Sequence, residues 1–192
     1  VTGTAGTVGQ NNSITGDVVN DQVGSGGVVV LSNGNYVVRS IGWRGGARGA
    51  ANGAVTFALG DRATSAVVSS ENSLVGAANT HRVGAGGVVA LPNGNYVVVS
   101  PFWDNGTTTD VGAVTWGSGL VGIKGFIGAE NSLIGSKASD RLGSNSSGAG
   151  FVQVLSDGSY LVTSSDFDAT VNGATIANTG ALTFGSATGP LT

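Results

Sequence analysis

The sequence contains no sulfur and carries little charge. Its 192 residues include no Cys, no Met, three Pro and one His, and charged residues make up 10% of the chain. The lack of Cys excludes a disulfide framework and a thiolate metal site. The net charge of −3 comes without any cluster of Lys or Arg. Nucleic acid and anionic membrane surfaces are therefore not expected partners.

Long apolar runs and a regular glycine period are also missing. No stretch approaches the ~20 apolar residues that cross a bilayer, so membrane insertion is not expected. The 35 Gly residues do not recur at every third position, which excludes collagen. Val-rich segments recur throughout, so the chain can bury a core and is not expected to be disordered. The length suits a single domain.

The main feature is an internal repeat of roughly 60 residues. Asn12-Ser13-Ile14 recurs as Asn72-Ser73-Leu74 and as Asn131-Ser132-Leu133, at spacings of 60 and 59 residues. Each copy then contains a tight turn, a Tyr, a loop with an aromatic residue, and a closing Gly-Ala-Val-Thr or Gly-Ala-Leu-Thr segment. The repeats run over about 12–71, 72–130 and 131–192, and 1–11 remain over.

Each copy is predicted to form four short antiparallel strands. Val28–Leu31 and Tyr36–Ser40 flank Asn33-Gly34, which is the strongest short hairpin signal in a sequence. The third strand is Ala54–Leu59, and the fourth lies around Ala66–Leu74. No segment has a helical period over ten residues. The prediction is an all-β fold: three repeats of four strands around a pseudo-threefold axis, like a β-prism or a three-bladed propeller.

The ends of the chain are expected to meet. The third copy lacks a fourth strand, and the N-terminal residues resemble the stretch that precedes each later Asn-Ser-Leu. We therefore expect residues 1–11 to complete the third repeat and to leave no free sheet edge at the seam. The alternative is that the chain is part of a longer open array.

Strings in the second copy resemble known bacterial repeats. These are Asn-Gly-Asn-Tyr-Val-Val (93–98), Ser-Pro-Phe-Trp-Asp-Asn-Gly (100–106) and Gly-Ala-Val-Thr-Trp-Gly (112–117). They are similar to repeats in large exported proteins of the filamentous-haemagglutinin or adhesin type, and to repeats in rhizobial carbohydrate-binding lectins. The resemblance implies a secreted or cell-surface protein whose partners are glycans, either mono- or oligosaccharides. The other two copies depart from these strings.

The loop after each second strand is the candidate sugar site. Trp103 is followed by Asp104 and Asn105, and an aromatic ring beside a carboxylate and an amide suits a pyranose. The equivalent residues in the other copies are Trp43, Arg44, Phe167 and Asp168. The prediction is a non-catalytic lectin, strengthened by tandem copies or a homo-oligomer. The same residues also suit a core aromatic followed by a capped turn, and the alternative function is a passive structural segment of a surface adhesin.

Other polar and aromatic positions carry weaker predictions. Asp21, His81 and Asp140 lie at the centre of a variable polar segment. This segment is predicted to be a solvated loop, with a groove against the neighbouring copy as the alternative, and His81 is expected to be exposed. No metal ligand set, cofactor motif or catalytic motif is found, so no enzyme is predicted. Asp166 and Asp168 could serve as paired carboxylates, but the pair does not recur in the other copies. Two aromatic sets are expected in the core: Tyr36, Tyr96 and Tyr160, and Phe57, Trp116 and Phe184.

Overall fold

The chain folds into short strands joined by turns. The computed structural model describes residues 5–45, 51–78, 80–145 and 147–189. These ranges contain sixteen strands and no helical residue, so the all-β prediction is confirmed for the part of the chain described. No helix in those ranges could cross a membrane.

In chain order the strands are β1 (Ile14–Thr15), β2 (Gly27–Val30), β3 (Tyr36–Ser40), β4 (Ala54–Ala58), β5 (Ala66–Val67), β6 (Ser73–Val75), β7 (Gly87–Ala90), β8 (Tyr96–Ser100), β9 (Ala113–Gly117), β10 (Gly125–Phe126), β11 (Ser132–Ile134), β12 (Val152–Val154), β13 (Tyr160–Ser164), β14 (Ala169–Val171), β15 (Ala174–Ile176) and β16 (Ala181–Gly185). Three main sheets follow the three repeats, with strand orders β2-β3-β4-β6, β7-β8-β9-β11 and β12-β13-β16, and β10 extends the first sheet beyond β6.

The hairpin that opens each sheet forms as its sequence predicts. β2 and β3 pair antiparallel, with Val30 opposite Tyr36. Gly34 has a φ of 86°, a conformation that glycine adopts without steric cost. The Asn33 carboxamide oxygen accepts the N–H of Asn35 at 3.1 Å and fixes the turn.

The fourth strand differs from its prediction. The stretch predicted as one strand around Ala66–Leu74 forms two strands, β5 and β6, separated by a turn. Asn72 causes the break, because its side chain binds the Val67 carbonyl at 2.8 Å and the Ser69 N–H at 3.0 Å. A side chain that takes these backbone groups competes with a continuous strand ladder. β6 then pairs antiparallel with β4.

The predicted closure of the ends is wrong in the described residues. β1 pairs in parallel with β5, as β6 pairs in parallel with β10, and it does not join the third sheet. Residues 5–11 form no strand, and residues 1–4 and 190–192 lie outside the described ranges. The N-terminal segment instead pairs as the second repeat does: the Asn-Ser-Ile strand β1 and the Asn-Ser-Leu strand β6 each pair with a short strand about 50 residues downstream.

Apolar side chains stack neighbouring sheets face to face. One buried cluster joins the first sheet to the second, and partly buried Phe57 and Val88 lie on its two sides. A second cluster repeats this between the second and third sheets, with Trp116 and Val152 at its border. No described cluster joins the first sheet to the third. The repeats therefore form an open row rather than a ring.

The aromatic core predictions hold for most positions but not all. Tyr96 and Tyr160 are fully buried, and Tyr36, Phe57 and Trp116 are half-buried. Phe184 was expected in the core but is 60% exposed. The reason is that no described sheet packs on this face of β16.

Candidate functional site

The loop after each second strand closes on its aromatic residue. The Trp43 carbonyl accepts the N–H groups of Asn52 at 2.8 Å and Gly53 at 2.9 Å. The Trp103 carbonyl accepts the N–H of Gly112 at 3.0 Å, and the Phe167 carbonyl accepts that of Gly180 at 3.1 Å. The same type of backbone hydrogen bond thus closes all three loops. The repeat equivalence predicted from the sequence places them at corresponding corners of the three sheets.

The two loop tryptophans are buried. Trp43 and Trp103 are each 5% exposed. Trp43 packs in a cluster with Val68 and Val75, and Trp103 belongs to the large cluster between the first two sheets. Their ring faces are covered by protein, so neither offers the open platform on which a pyranose stacks. Phe167 is half-buried.

The carboxylates beside these aromatics hold their own loops. Asp104 Oδ1 accepts the N–H of Asp110 at 2.7 Å, and Asp168 Oδ1 accepts that of Asn178 at 2.8 Å. Asn105 is exposed, and its backbone exchanges two hydrogen bonds with Thr108 in a tight turn. Asp104 and Asp168, two of the predicted sugar-binding residues, therefore each use one carboxylate oxygen to close their own loop.

The polar segment before each first strand is buried at its centre, contrary to the solvated loop that was predicted. Asp21 is 4% exposed and Asp140 is fully buried. Asp21 Oδ2 accepts the N–H groups of Asp17 and Val18, both at 3.0 Å, and its Oδ1 accepts the N–H of Arg44 at 3.0 Å. Three backbone donors compensate for the burial of this charge.

Asp140 repeats the arrangement in the third copy. Its Oδ2 accepts the N–H groups of Ser136 at 2.9 Å and Lys137 at 2.8 Å, and its Oδ1 accepts the N–H of Asp168 at 3.0 Å. The residue after each loop aromatic is thus anchored through its backbone in these two copies. Asp21 and Asp140 thus position Arg44 and Asp168 through the same type of hydrogen bond. The varied side chains of the polar segment gave no sign of this in the sequence.

His81 occupies the same place in the second copy and is also buried, at 4% exposed. The prediction of an exposed histidine is therefore wrong. Its ring meets the edge of Trp103 at 6.0 Å between centroids, and its Nε2 lies 3.8 Å from Asp104 Oδ2. Burial lowers the pKa of His81, and the Asp104 charge opposes this only in part. Burial therefore favours the neutral imidazole, and within the described residues its Nδ1 has no hydrogen-bond partner.

Neighbouring repeats meet at these loops through their backbones. The Gly76 N–H donates to the Gly53 carbonyl at 3.3 Å, and the Val83 N–H donates to the Asn52 carbonyl at 3.0 Å. Gly53 has a φ of 75°, and its Cα lies directly against the backbone of Val83, where a side chain would not fit. The loop of one repeat is thus the support for the polar segment of the next.

One cavity lies beside Trp43 and includes a residue that sequence reasoning missed. It has a volume of about 320 Å³, and its lining includes Asp17, Asn52, Ser69 and Phe126. Among the residues that the structure describes, the Trp43 Nε1 and Asn52 Oδ1 atoms are buried without hydrogen-bond partners. Phe126 is 52% exposed. The signal for it was available, since Phe126 is an aromatic residue where the preceding repeat has Val67.

Metal binding has no support in the described ranges. No group of three or more His, Asp or Glu side chains there is close enough to hold an ion.

The comparisons with known proteins identify the repeat but not its role. No curated protein and no solved structure matches the chain. A family model described as a repeat of unknown function (DUF5650) matches residues 1–25, 30–85, 90–144 and 154–192, which is most of the sequence. The chain therefore belongs to the DUF5650 family of repeats.

Proposed function

We propose that the chain is a structural segment of a large exported surface protein of the adhesin type, in which stacked repeats form a stiff row. The observation that carries this is the recurrence of one inter-repeat contact. The Gly76 N–H donates to the Gly53 carbonyl at 3.3 Å, and the Gly135 N–H donates to the Gly112 carbonyl at 3.1 Å. Repeats that contact only their neighbours suit a row that can be lengthened without changing its internal packing.

The loops after the second strands support this role. Both of their tryptophans are buried, and Asp104 and Asp168 close the loops. These residues stabilise the loops, as expected in a structural segment. They fit the alternative interpretation of the sequence, which is a core aromatic residue followed by a capped turn.

The pattern of the family match also supports a row. Its two longer matches, 30–85 and 90–144, each begin in the first strand of one sheet and extend past the Asn-Ser-Leu strand. The unit of the family thus reaches from one sheet into the next. The two shorter matches, 1–25 and 154–192, correspond by sequence to the end and the beginning of such a unit.

The proposed location is the cell surface or the secreted fraction. Its support is the resemblance of the second copy to repeats of exported bacterial proteins, together with a sequence free of Cys and Met. Localisation of the native protein by surface proteolysis in the source cells would test it, and protection of the repeat in intact cells would contradict it.

A matched pair of substitutions tests the coupling between repeats. Val88 lies between the first and second sheets, and Val28 is its equivalent on the outer face of the first sheet, where it is 58% exposed. Val88→Lys buries a charge in the inter-repeat contact and should lower the free energy of unfolding by about 2–4 kcal/mol. Val28→Lys should change it by less than about 0.5 kcal/mol. Equal effects in dilute protein would contradict stability through neighbour stacking.

A second candidate function is carbohydrate binding, moved from the predicted loops to the cavity beside Trp43. The observation that favours it is the pair of unsatisfied buried groups there, a donor at Trp43 Nε1 and an acceptor at Asn52 Oδ1. Ser69 and Asp17 can reach sugar hydroxyls, and the exposed Phe126 ring can cover the apolar side of a sugar ring.

A titration separates the two candidates. The full chain is screened on a glycan array and titrated calorimetrically with mannose, galactose and fucose. The structural proposal predicts no binding. The second candidate predicts binding that Phe126→Ala abolishes without a change in stability. Phe151→Ala is the control, because Phe151 is 45% exposed at a different place on the surface.

A further inference from the structure

The last strand of the third sheet has a free edge that is occupied in the other sheets. β16 pairs through one edge with β13, just as β4 pairs with β3 and β9 with β8. The other edges of β4 and β9 hold β6 and β11, whereas no described strand lies on that edge of β16. Leu182 is 64% exposed because no described sheet packs on its face, although its equivalents Val55 and Val114 are fully buried in the clusters between sheets.

The first strand of the chain has the complementary free edge. β6 and β11 each pair antiparallel with the third strand of a sheet, but β1 pairs only with β5 in the described residues. The Asn12 side chain donates to the Thr7 carbonyl at 3.1 Å and accepts the Gly9 N–H at 3.0 Å. Asn72 makes the same two contacts before β6. The N-terminal segment therefore already has the conformation of a strand that docks on a preceding sheet.

We propose that a second copy of this chain docks end to end, with β16 of one copy pairing antiparallel with β1 of the next. The register follows from the pairs within the chain, where Val55 lies opposite Leu74 and Val114 lies opposite Leu133. By equivalence Leu182 pairs with Ile14, and Thr183 pairs with Ser13. This rests on the proposed structural function and deepens it by naming a partner for these two strand edges.

A pair of hydroxyl groups makes this register specific. Thr56 Oγ1 lies 2.7 Å from Ser73 Oγ, and Thr115 Oγ1 lies 2.6 Å from Ser132 Oγ. Ser73 Oγ–H donates to Asn72 Oδ1 at 2.8 Å, so the Thr56 hydroxyl is the donor in the first pair. Ser13 Oγ–H likewise donates to Asn12 Oδ1 at 3.0 Å. Its oxygen is left ready to accept a hydrogen bond from Thr183 of the neighbouring copy.

Docking also covers the apolar faces at the two ends. Val28 and Val30 are 58% and 70% exposed on the first sheet, and Phe184 is 60% exposed on the third. Within the chain, the equivalents of Val28 and Phe184 pack in the same cluster, as Val88 and Phe57 do between the first two sheets. The same face-to-face contact between copies removes these side chains from water, which favours association.

The two surfaces are different, so the contact is head-to-tail. A head-to-tail contact that does not close on itself adds copies without a fixed end point. Association should therefore continue to grow with concentration instead of stopping at a dimer.

The turn of the third repeat weakens this contact relative to the contacts within the chain. The Asn33 amide donates to the Gly119 carbonyl at 2.7 Å, and the Asn93 amide donates to the Ala187 carbonyl at 2.8 Å. Asp157 stands at the equivalent position and has no such donor. In the proposed contact the Asp157 carboxylate faces the Gly60 carbonyl of the next copy. Both groups are hydrogen-bond acceptors, so this contact disfavours association. Asp157→Asn restores the donor and should tighten association about tenfold.

Sedimentation velocity from low micromolar to millimolar protein tests the proposal. Wild type should grow with concentration, Asp157→Asn should do so at about tenfold lower concentration, and Leu182→Lys should stay monomeric. Leu120→Lys is the matched control, because Leu120 is 74% exposed in a turn away from both free edges, and it should behave as wild type. A monomeric Asp157→Asn variant at millimolar concentration, or association of Leu182→Lys equal to wild type, overturns the proposal.

Cysteine cross-linking tests the register, and the natural chain contains no Cys to interfere. Ser13→Cys and Thr183→Cys variants are mixed under mild oxidation and should give a disulfide-linked heterodimer. Ser13→Cys mixed with Phe184→Cys should not, since position 184 faces the other side of the strand. The proposed pairing is overturned if the copies associate but position 13 cross-links to position 184 and not to position 183. The Val88 and Val28 comparison is made on dilute monomer, so failure of docking and failure of the proposed structural function give separate results.

Discussion

Gly117 lies against the ring of Tyr96, with no room between them for a side-chain carbon. The two residues are opposite each other on paired strands, and Tyr160 lies over Gly185 in the same way in the third sheet. In the first sheet the partner of Tyr36 is Ala58, and Tyr36 is only half-buried. Glycine thus lets the tyrosine ring fold down over the neighbouring strand and become fully buried.

Gly117→Ala is expected to destabilise the protein by about 1–3 kcal/mol, because the added methyl displaces a ring that has no free space around it. Chemical denaturation measures the change. Gly9→Ala is the control, since nothing lies within 4 Å of a Cβ at that position. Equal stability of the two variants would show that the Tyr96 ring moves at no cost.

Thr115→Val is expected to cost about 1 kcal/mol, because it removes the buried hydrogen bond to Ser132 Oγ while keeping the shape of the side chain. Thr183→Val is the matched variant, as the equivalent hydroxyl in the third sheet has no serine partner in the described part of the chain. Urea unfolding in dilute protein should separate the two variants. The same loss in both would mean that the Thr115 hydroxyl contributes nothing through Ser132.

Trp103→Ala is expected to lower the free energy of unfolding by about 3–5 kcal/mol, since the indole is 5% exposed in the core between two sheets. Phe126→Ala, at a residue 52% exposed, should have a far smaller effect. Thermal melts of both variants provide the comparison. A Trp103→Ala variant with wild-type stability would reopen the interpretation of Trp103 as a binding residue.

Acidification is expected to destabilise the protein through His81. Burial lowers its pKa in the folded chain, whereas the unfolded chain takes up the proton near pH 6.5. The unfolded state thus binds more protons below that pH, so stability is fully present above about 6.5 and falls as pH decreases towards the folded pKa. His81→Gln should flatten this slope in denaturant titrations at several pH values. An unchanged slope would assign the titration to another group.

Local turn signals predicted much of the fold. Asn33-Gly34 and its equivalents specified hairpins because Gly34, Gly94 and Gly158 adopt the left-handed conformation that the turn requires. The same signal was overlooked at Asn172-Gly173, where φ values of 52° and 81° join β14 to β15. That hairpin fills the long loop of the third repeat, and its sequence signal is as clear as the others.

The site was harder to predict, because packing and binding repeat with the same period. The position of Trp103 in the sequence is equally consistent with a sugar platform and with a core residue. Asp21 and His81 differ chemically, yet both are buried at equivalent points because a neighbouring loop covers them. Burial of this kind depends on residues far away in the chain and leaves no mark in the local pattern.

Most strand segments, their turns and the repeat that relates them follow from the amino-acid sequence, since each depends on short-range backbone preference and alternating side chains. The pairing of Ile14 with Ala66 and the exposure of Leu182 follow only from the folded arrangement of the sheets. Strand edges present similar hydrogen-bonding groups, so the choice of partner depends on which faces pack against each other, and this is a property of the assembled sheets.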